Sequence, residues 1–289
     1  MPPLAALVKT EPVPGNAAEL YLDLMKKTVT RAIVAAEYER HFFRPTRSVY
    51  RSLYSVIRRL LSTRGLELVR LKSSDPEEYL ESGSEATNRV EDAETMIGAR
   101  QLDNLQFCIT DVLRRDVPGD LLEAGVWRGG ASIFMRAVLK AYGDDTRRVW
   151  LADSFAGLPR LDPATDTFEW KPGDMAVSLE QVRENFARYG LLDEQVRFLR
   201  GFFADTLPDA PIERLSILRV DADLFASTRD VLYHLYPRLS VGGYAVFDDY
   251  QNLPDCRRAI DSYREEHNIT EPICRIDRRA VYWRKERCS

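Results

Sequence analysis

The chain is poor in the residues that build thiolate and imidazole sites, with four cysteines and three histidines among 289 residues. Cys108, Cys256, Cys274 and Cys288 never approach C-x-x-C spacing. Neither a zinc ribbon nor a disulfide framework is indicated, and reduced thiols follow. No apolar run approaches the roughly 20 residues of a membrane span. The opening MPPLAALVKTEPVPGN has no cationic segment followed by an apolar one and a small-residue cleavage site, so a cytoplasmic protein with no transmembrane segment is expected. Basic residues are not in surplus either: 41 Lys and Arg stand against 45 Asp and Glu, a net charge of -4. That balance argues against nucleic acid as a partner, since its sequence-independent binding relies on cations neutralising phosphates. Small or neutral substrates fit better. The dinucleotide fingerprint G-x-G-x-x-G is missing as well.

What is there, from about Gly119 onward, is an alternation of short β-rich apolar runs with amphipathic helical stretches. The runs are DLLEAGV, RVWLADSF, VRFLRGFF, LSILRVDADL, GGYAVFDDY, EPICRIDR and AVYWRK. Leu179, Val182, Phe186 and Tyr189 fall at helical spacing, as do Val231, Leu232, Leu235, Tyr236 and Leu239. Such β-α-β order predicts an α/β, Rossmann-like fold: a seven-stranded, mostly parallel sheet with crossover helices. The last two strands are joined too tightly for a crossover, so the final one is expected to run antiparallel.

The N-terminal part reads differently. Residues 1–15 are expected to be flexible and residues 16–93 to form a helical cap or lid with a variable insertion, ahead of a catalytic domain over 94–289. Apolar spacing predicts helices over 16–40 and 47–61, and the polar stretch 72–92 a loop. The second helix carries Arg47, Arg51, Arg58, Arg59 and Arg64. A basic amphipathic face packed on the core or on a second subunit is the simpler use of it, compared with a surface for anionic lipid or phosphate. A homo-oligomer through the N-terminal helices is the matching expectation.

Glu123-Ala124-Gly125-Val126-Trp127-Arg128-Gly129-Gly130 follows the first strand of the alternating region. Glycine lets a ligand reach backbone N–H groups, and the following helix offers its positive end. An acid within such a loop suits a cationic ammonium better than a pyrophosphate, which favours S-adenosylmethionine over NAD. At the end of the second strand, Asp153 stands where a carboxylate accepts hydrogen bonds from ribose hydroxyls. A tight turn for the glycines and a helix cap for Asp153 are the structural alternatives.

Two further strand ends are acidic: Asp221-Ala222-Asp223 and Asp248-Asp249-Tyr250. Carboxylates crowded on one sheet edge repel one another unless a cation or proton sits among them. Oxygen-only ligation without nearby His or Cys suits Mg²⁺. A metal binding two neighbouring hydroxyls would fix an acceptor and acidify it. With no histidine at a strand end, a carboxylate is the expected base. Helix capping by some of these residues is the alternative.

Together TMIGARQLDN, GDLLEAGVWRGGAS, LADSFAGLP, GFFADTLP, VDADLFAST and GGYAVFDDY resemble the macrocin O-methyltransferase (TylF-like) family. The likeness runs from about Glu94 to the C-terminus, with a weaker echo in AELYLDLMKKTVT. It implies methylation of a sugar hydroxyl on a glycosylated small molecule or activated sugar, using S-adenosylmethionine and Mg²⁺. Carried over by position, it makes Asp221, Asp248 and Asp249 the metal ligands and Asp223 the general base. Glu123, Gly125, Asp153 and Ser154 become donor contacts, with Thr95, Met96 and Ile97 closing over the donor. Ala222 and Phe225 depart from the family's usual Gly and Tyr. A catechol-type methyltransferase and a non-catalytic donor-binding scaffold are the competing functions.

Overall fold

The computed structural model describes residues 16–32, 37–39, 70–72, 93–167 and 170–287. The chain opens with α1 (Ala17–Val29), whose first turn is capped by the Asn16 side chain accepting from the Glu19 N–H at 2.9 Å. The helix expected over 16–40 is shorter than its apolar spacing suggests. The Thr30 hydroxyl bonds back to the Lys26 carbonyl, Arg31 turns left-handed with φ 61°, and Glu37–Glu39 is a strand, β1. β1 pairs antiparallel with β2 (Arg70–Lys72). The expected flexible terminus, the helix over 47–61 and nearly all of the polar loop lie outside the described residues.

The main sheet is built from β3 (Asp120–Ala124), β4 (Val149–Asp153), β5 (Val196–Arg200), β6 (Leu215–Val220), β7 (Leu239–Phe247), β8 (Cys274–Arg275) and β9 (Val281–Arg284). Its order is β5-β4-β3-β6-β7-β9-β8. The five strands from β3 to β7 are parallel, and β9 runs antiparallel against both β7 and β8. The Rossmann-like expectation and the antiparallel last strand are therefore observed. Central β6 is buried at every residue, as expected for a parallel strand covered on both faces.

Helices cover the two faces. On one lie α1, α2 (Ala99–Arg114), α3 (Gly130–Ala141) and α4 (Leu179–Arg188), which share a core of Leu22, Val29, Leu105, Phe134, Val138 and Phe186. A short turn, α5 (Phe203–Thr206), follows β5. On the opposite face α6 (Phe225–Leu235) and α7 (Pro254–Glu266) bury Leu232, Leu235 and Ile260 with Leu218 and Trp283. Trp283 stacks on Phe247 with ring centroids 4.5 Å apart. The helices α2 and α7 escaped the sequence reading. The second is strongly polar overall, so its apolar face is a narrow stripe.

Strand order reverses between β3 and β6, since the chain runs outward through β4 and β5 and then returns. In an open α/β sheet the crevice outside the carboxyl ends at such a switch point is where ligands bind.

Candidate active site

The carboxyl ends of the central strands are stapled in a staircase. The Gly125 N–H donates to the Ala152 carbonyl at 3.0 Å, the Asp221 N–H to Ala124 at 2.8 Å, and the Asp248 N–H to Val220 at 3.0 Å. A cavity of about 280 Å³ opens above them. Its wall includes Met96, Gly125, Trp127, Asp153, Asp221 and Asp223. Trp127 and Asp223 hold left-handed backbones, with φ 48° and 56°. Conformations this rare for non-glycine residues cost on the order of 1–3 kcal/mol each and cluster at functional sites.

Gly125 is required by a contact inside the protein. A Cβ at this position, where φ is +86°, would lie 1.7 Å from the Asp221 carbonyl oxygen. The loop after β3 thus rests directly on the end of β6. Gly130 serves a second close approach, since its Cβ would come within 2.5 Å of the Glu94 backbone, to whose carbonyl its own N–H donates at 2.8 Å. That contact draws the 93–98 segment across the start of α3. The segment is pinned further by Tyr189, whose hydroxyl donates to Glu94 at 2.9 Å, and by an Arg31–Glu94 ion pair at 3.3 Å. Of the three residues expected to close over the donor, Met96 reaches the cavity wall. Thr95 and Ile97 are buried, with the Thr95 hydroxyl accepting from the Ile97 N–H at 3.3 Å.

Asp153 ties the first loop to the second. One carboxylate oxygen accepts from the Val126 N–H and the other from the Phe155 N–H, both at 2.7 Å. Ser154 lines the cavity too, and its hydroxyl donates to the Gly157 carbonyl at 2.7 Å. Glu123 does not reach the cavity. It is 2% exposed, beneath the loop, where it accepts from the Ser132 hydroxyl and from Arg219 at 2.8 Å. Burial lifts its carboxyl to about 7 against the opposing pull of Arg219 and Ser132.

The acids at the ends of β6 and β7 divide into two groups. Asp221, Asp223 and Asp249 converge, each offering a carboxylate oxygen within 4.8 Å of the others. Asp248 turns the other way, accepting from Arg219 at 2.7 Å with its second oxygen 3.9 Å from Arg279. Asp249 is 1% exposed; its Oδ1 accepts from Arg279 at 2.9 Å and from Asn252 at 3.0 Å. Its Oδ2 is buried with no hydrogen-bond partner among the described residues. Burial pushes the Asp221 carboxyl up to about 6, with Arg219 opposing and Asp249 adding to the rise. Asp223 is driven well above the ordinary carboxylate range by burial and by Asp249 and Asp221. A negatively charged cluster this strained for charge calls for a cation or a shared proton.

Arg219 and Arg279 were missed by sequence reasoning. Arg219 had a visible signal, a lone cation inside the apolar run LSILRV. Arg279 had none, since it sits in a run of arginines near the C-terminus.

A switch-point cavity with a glycine loop after one strand, an acid after the next and acids beyond them is a ligand site of a Rossmann-like fold, and the chain's relatives make the protein an S-adenosylmethionine-dependent O-methyltransferase. The particular lineage comes from comparison with known proteins. The chain belongs to the macrocin O-methyltransferase (TylF) family, whose profile matches residues 18–285. It is 44% identical over 280 residues to the mycinamicin III 3''-O-methyltransferase of Micromonospora griseorubida, covering 94% of this chain and 98% of that one. It is 53% identical over 203 residues to the 8-demethyl-8-(2,3-dimethoxy-alpha-L-rhamnosyl)-tetracenomycin-C 4'-O-methyltransferase of Streptomyces olivaceus, covering 68% and 77% of the two. The solved structure of the O-methyltransferase NovP superposes with a TM-score of 0.75 at 40% identity, covering 93% of this chain and all of that one.

Proposed function

We propose that this enzyme transfers the methyl group of S-adenosylmethionine to a sugar hydroxyl of a glycosylated small molecule or activated sugar, with Mg²⁺ assisting deprotonation. The observation that carries the metal part is the buried, unpartnered Oδ2 of Asp249 within the group formed with Asp221 and Asp223. A buried carboxylate oxygen without a donor is costly, and an all-oxygen set fits a hard divalent cation. The sugar part is supported by the relatives, one of which is named for a rhamnosyl-bearing tetracenomycin and shares 53% identity.

Asp221 and Asp249 would hold the ion, whereas Asp248, the third ligand expected from the sequence, is turned to Arg219 and lies outside the converging group. When bound, the ion would lower the pKa of an acceptor hydroxyl. Asp223, projecting into the cavity beside Asp221 and Asp249, takes the proton. The hydroxyl oxygen then forms its bond to the methyl carbon as the carbon–sulfur bond breaks, leaving S-adenosylhomocysteine. The Gly125 loop and the Asp153 carboxylate fix the donor, so the protein's main contribution is alignment.

The test pairs Asp221→Asn with a panel of acceptors. The variant is expected to lose metal-dependent turnover while keeping donor binding largely intact. Full activity of that variant in EDTA would overturn the metal reading. Preference for catechols over glycosides would overturn the sugar reading, and donor binding without methylated product would favour a scaffold.

A further inference from the structure

Arg219 lies in the middle of the sheet, 1% exposed, and lines no part of the cavity. Burying a guanidinium is costly unless its donors are engaged, and here both terminal nitrogens are. One donates to Glu123 at 2.8 Å and to Asp221 at 2.9 Å; the other donates to Asp248 at 2.7 Å. These partners stand on or just past three adjacent strands, β3, β6 and β7. Glu123 and Arg219 are register partners, so the bond crosses neighbouring strands directly.

Each partner leads to a different part of the site. The second oxygen of Glu123 accepts from the hydroxyl of Ser132, in the first turn of α3, directly after the glycine loop. Asp221 belongs to the converging carboxylates, and Asp248 precedes Asp249. A planar fork reaches three carboxylates from two separated nitrogens in fixed directions, whereas a lysine ammonium offers three rotatable donors from a single point.

We propose that Arg219 is a positioning residue for both halves of the site: it sets the donor loop and the carboxylate cluster relative to one another, so its loss weakens donor binding and cation binding together. The cation half rests on the Mg²⁺ reading above. Arg219 touches neither donor nor acceptor, and acts through Glu123 on one side and through Asp221 and Asp248 on the other.

The experiment measures two affinities in Arg219→Met and Arg219→Lys. S-adenosylhomocysteine binding is followed by calorimetry in EDTA, and Mn²⁺ binding by electron paramagnetic resonance without donor. Glu123→Gln and Asp248→Asn serve as one-sided controls, expected to lose the first and the second affinity respectively. Arg219→Met is expected to lose about tenfold or more at both, in the range seen when partners of metal ligands are removed. Arg219→Lys, which keeps the charge without the fork, is expected to lose about threefold at both. Circular dichroism establishes folding, and where the Met variant does not fold the Lys variant decides. Wild-type affinity at either site in a folded Arg219 variant overturns the proposal. Absence of Mn²⁺ binding by the wild type overturns it together with the Mg²⁺ reading, whereas Mn²⁺ binding that Arg219 variants leave unchanged overturns it alone.

Discussion

Gly125→Ala is the sharpest perturbation of this site. The added Cβ would start 1.7 Å from the Asp221 carbonyl oxygen, whereas real Cβ contacts essentially never fall below 3.0 Å. The loop after β3 and the end of β6 must therefore separate by more than an ångström. The obstacle is backbone, which has no rotamer with which to yield. A left-handed alanine costs on the order of 1–2 kcal/mol and overpacking typically 1–3, giving a loss of roughly 2–5 kcal/mol of stability. The functional effect is larger than the stability loss suggests, because the two parted elements carry the donor loop and the carboxylates. A misplacement of about 1 Å between reacting groups can cost about a hundredfold in rate. Thermal melts and steady-state kinetics at saturating donor measure the two effects. A fall in kcat of about a hundredfold in protein still folded at the assay temperature is expected. A variant that melts like the wild type and turns over normally would refute the claim that this loop and strand end are in direct contact.

Asp223→Asn should lower kcat by about 10²- to 10⁴-fold, the usual worth of a general base, with S-adenosylhomocysteine affinity unchanged by calorimetry; wild-type turnover would remove Asp223 from that role. Asp193→Asn tests stability away from the site, because buried Arg136 donates to Asp193 from Nε at 3.1 Å and from Nη2 at 2.6 Å, while its Nη1 has no hydrogen-bond partner among the described residues. The loss should be about 2 kcal/mol in urea melts, less than for a fully buried pair because Asp193 is partly exposed. Burial raises the Asp193 carboxyl, but the bonds from Arg136 and the Gln195 N–H outweigh it, leaving it below its ordinary 3.8. Its stabilisation is thus present above pH 3.8 and fades as pH falls further, so the gap between wild type and Asp193→Asn should narrow below that value. Tyr189→Phe removes a hydrogen bond to buried Glu94 and should cost about 1.5 kcal/mol, with a raised KM for donor because the 93–98 segment loosens; an unchanged KM would show that this anchor is only structural.

Much of the fold was legible because its signals are local. Apolar runs of strand length, helical spacing such as Val182 and Phe186, and the tight join before β9 need only neighbouring residues to be read. Helix α1 shows the limit: its apolar spacing continues past Val29, but the Thr30 hydroxyl and the left-handed Arg31 end it. The acids at strand ends were equally visible, since a parallel sheet brings all its carboxyl ends to one edge.

By itself the sequence determined the Rossmann-like class, the sheet edge that carries the chemistry and the residue types gathered there. Only the tertiary structure decided how those residues divide: Asp221, Asp223 and Asp249 facing one another, Asp248 turned to Arg219, and Glu123 buried beneath the loop it introduces. Those choices depend on pairings between residues as far apart as Glu123 and Arg219, 96 positions along the chain. Strand register and the direction of each side chain fix such pairings, and neither is written in the local pattern that places a residue at a strand end.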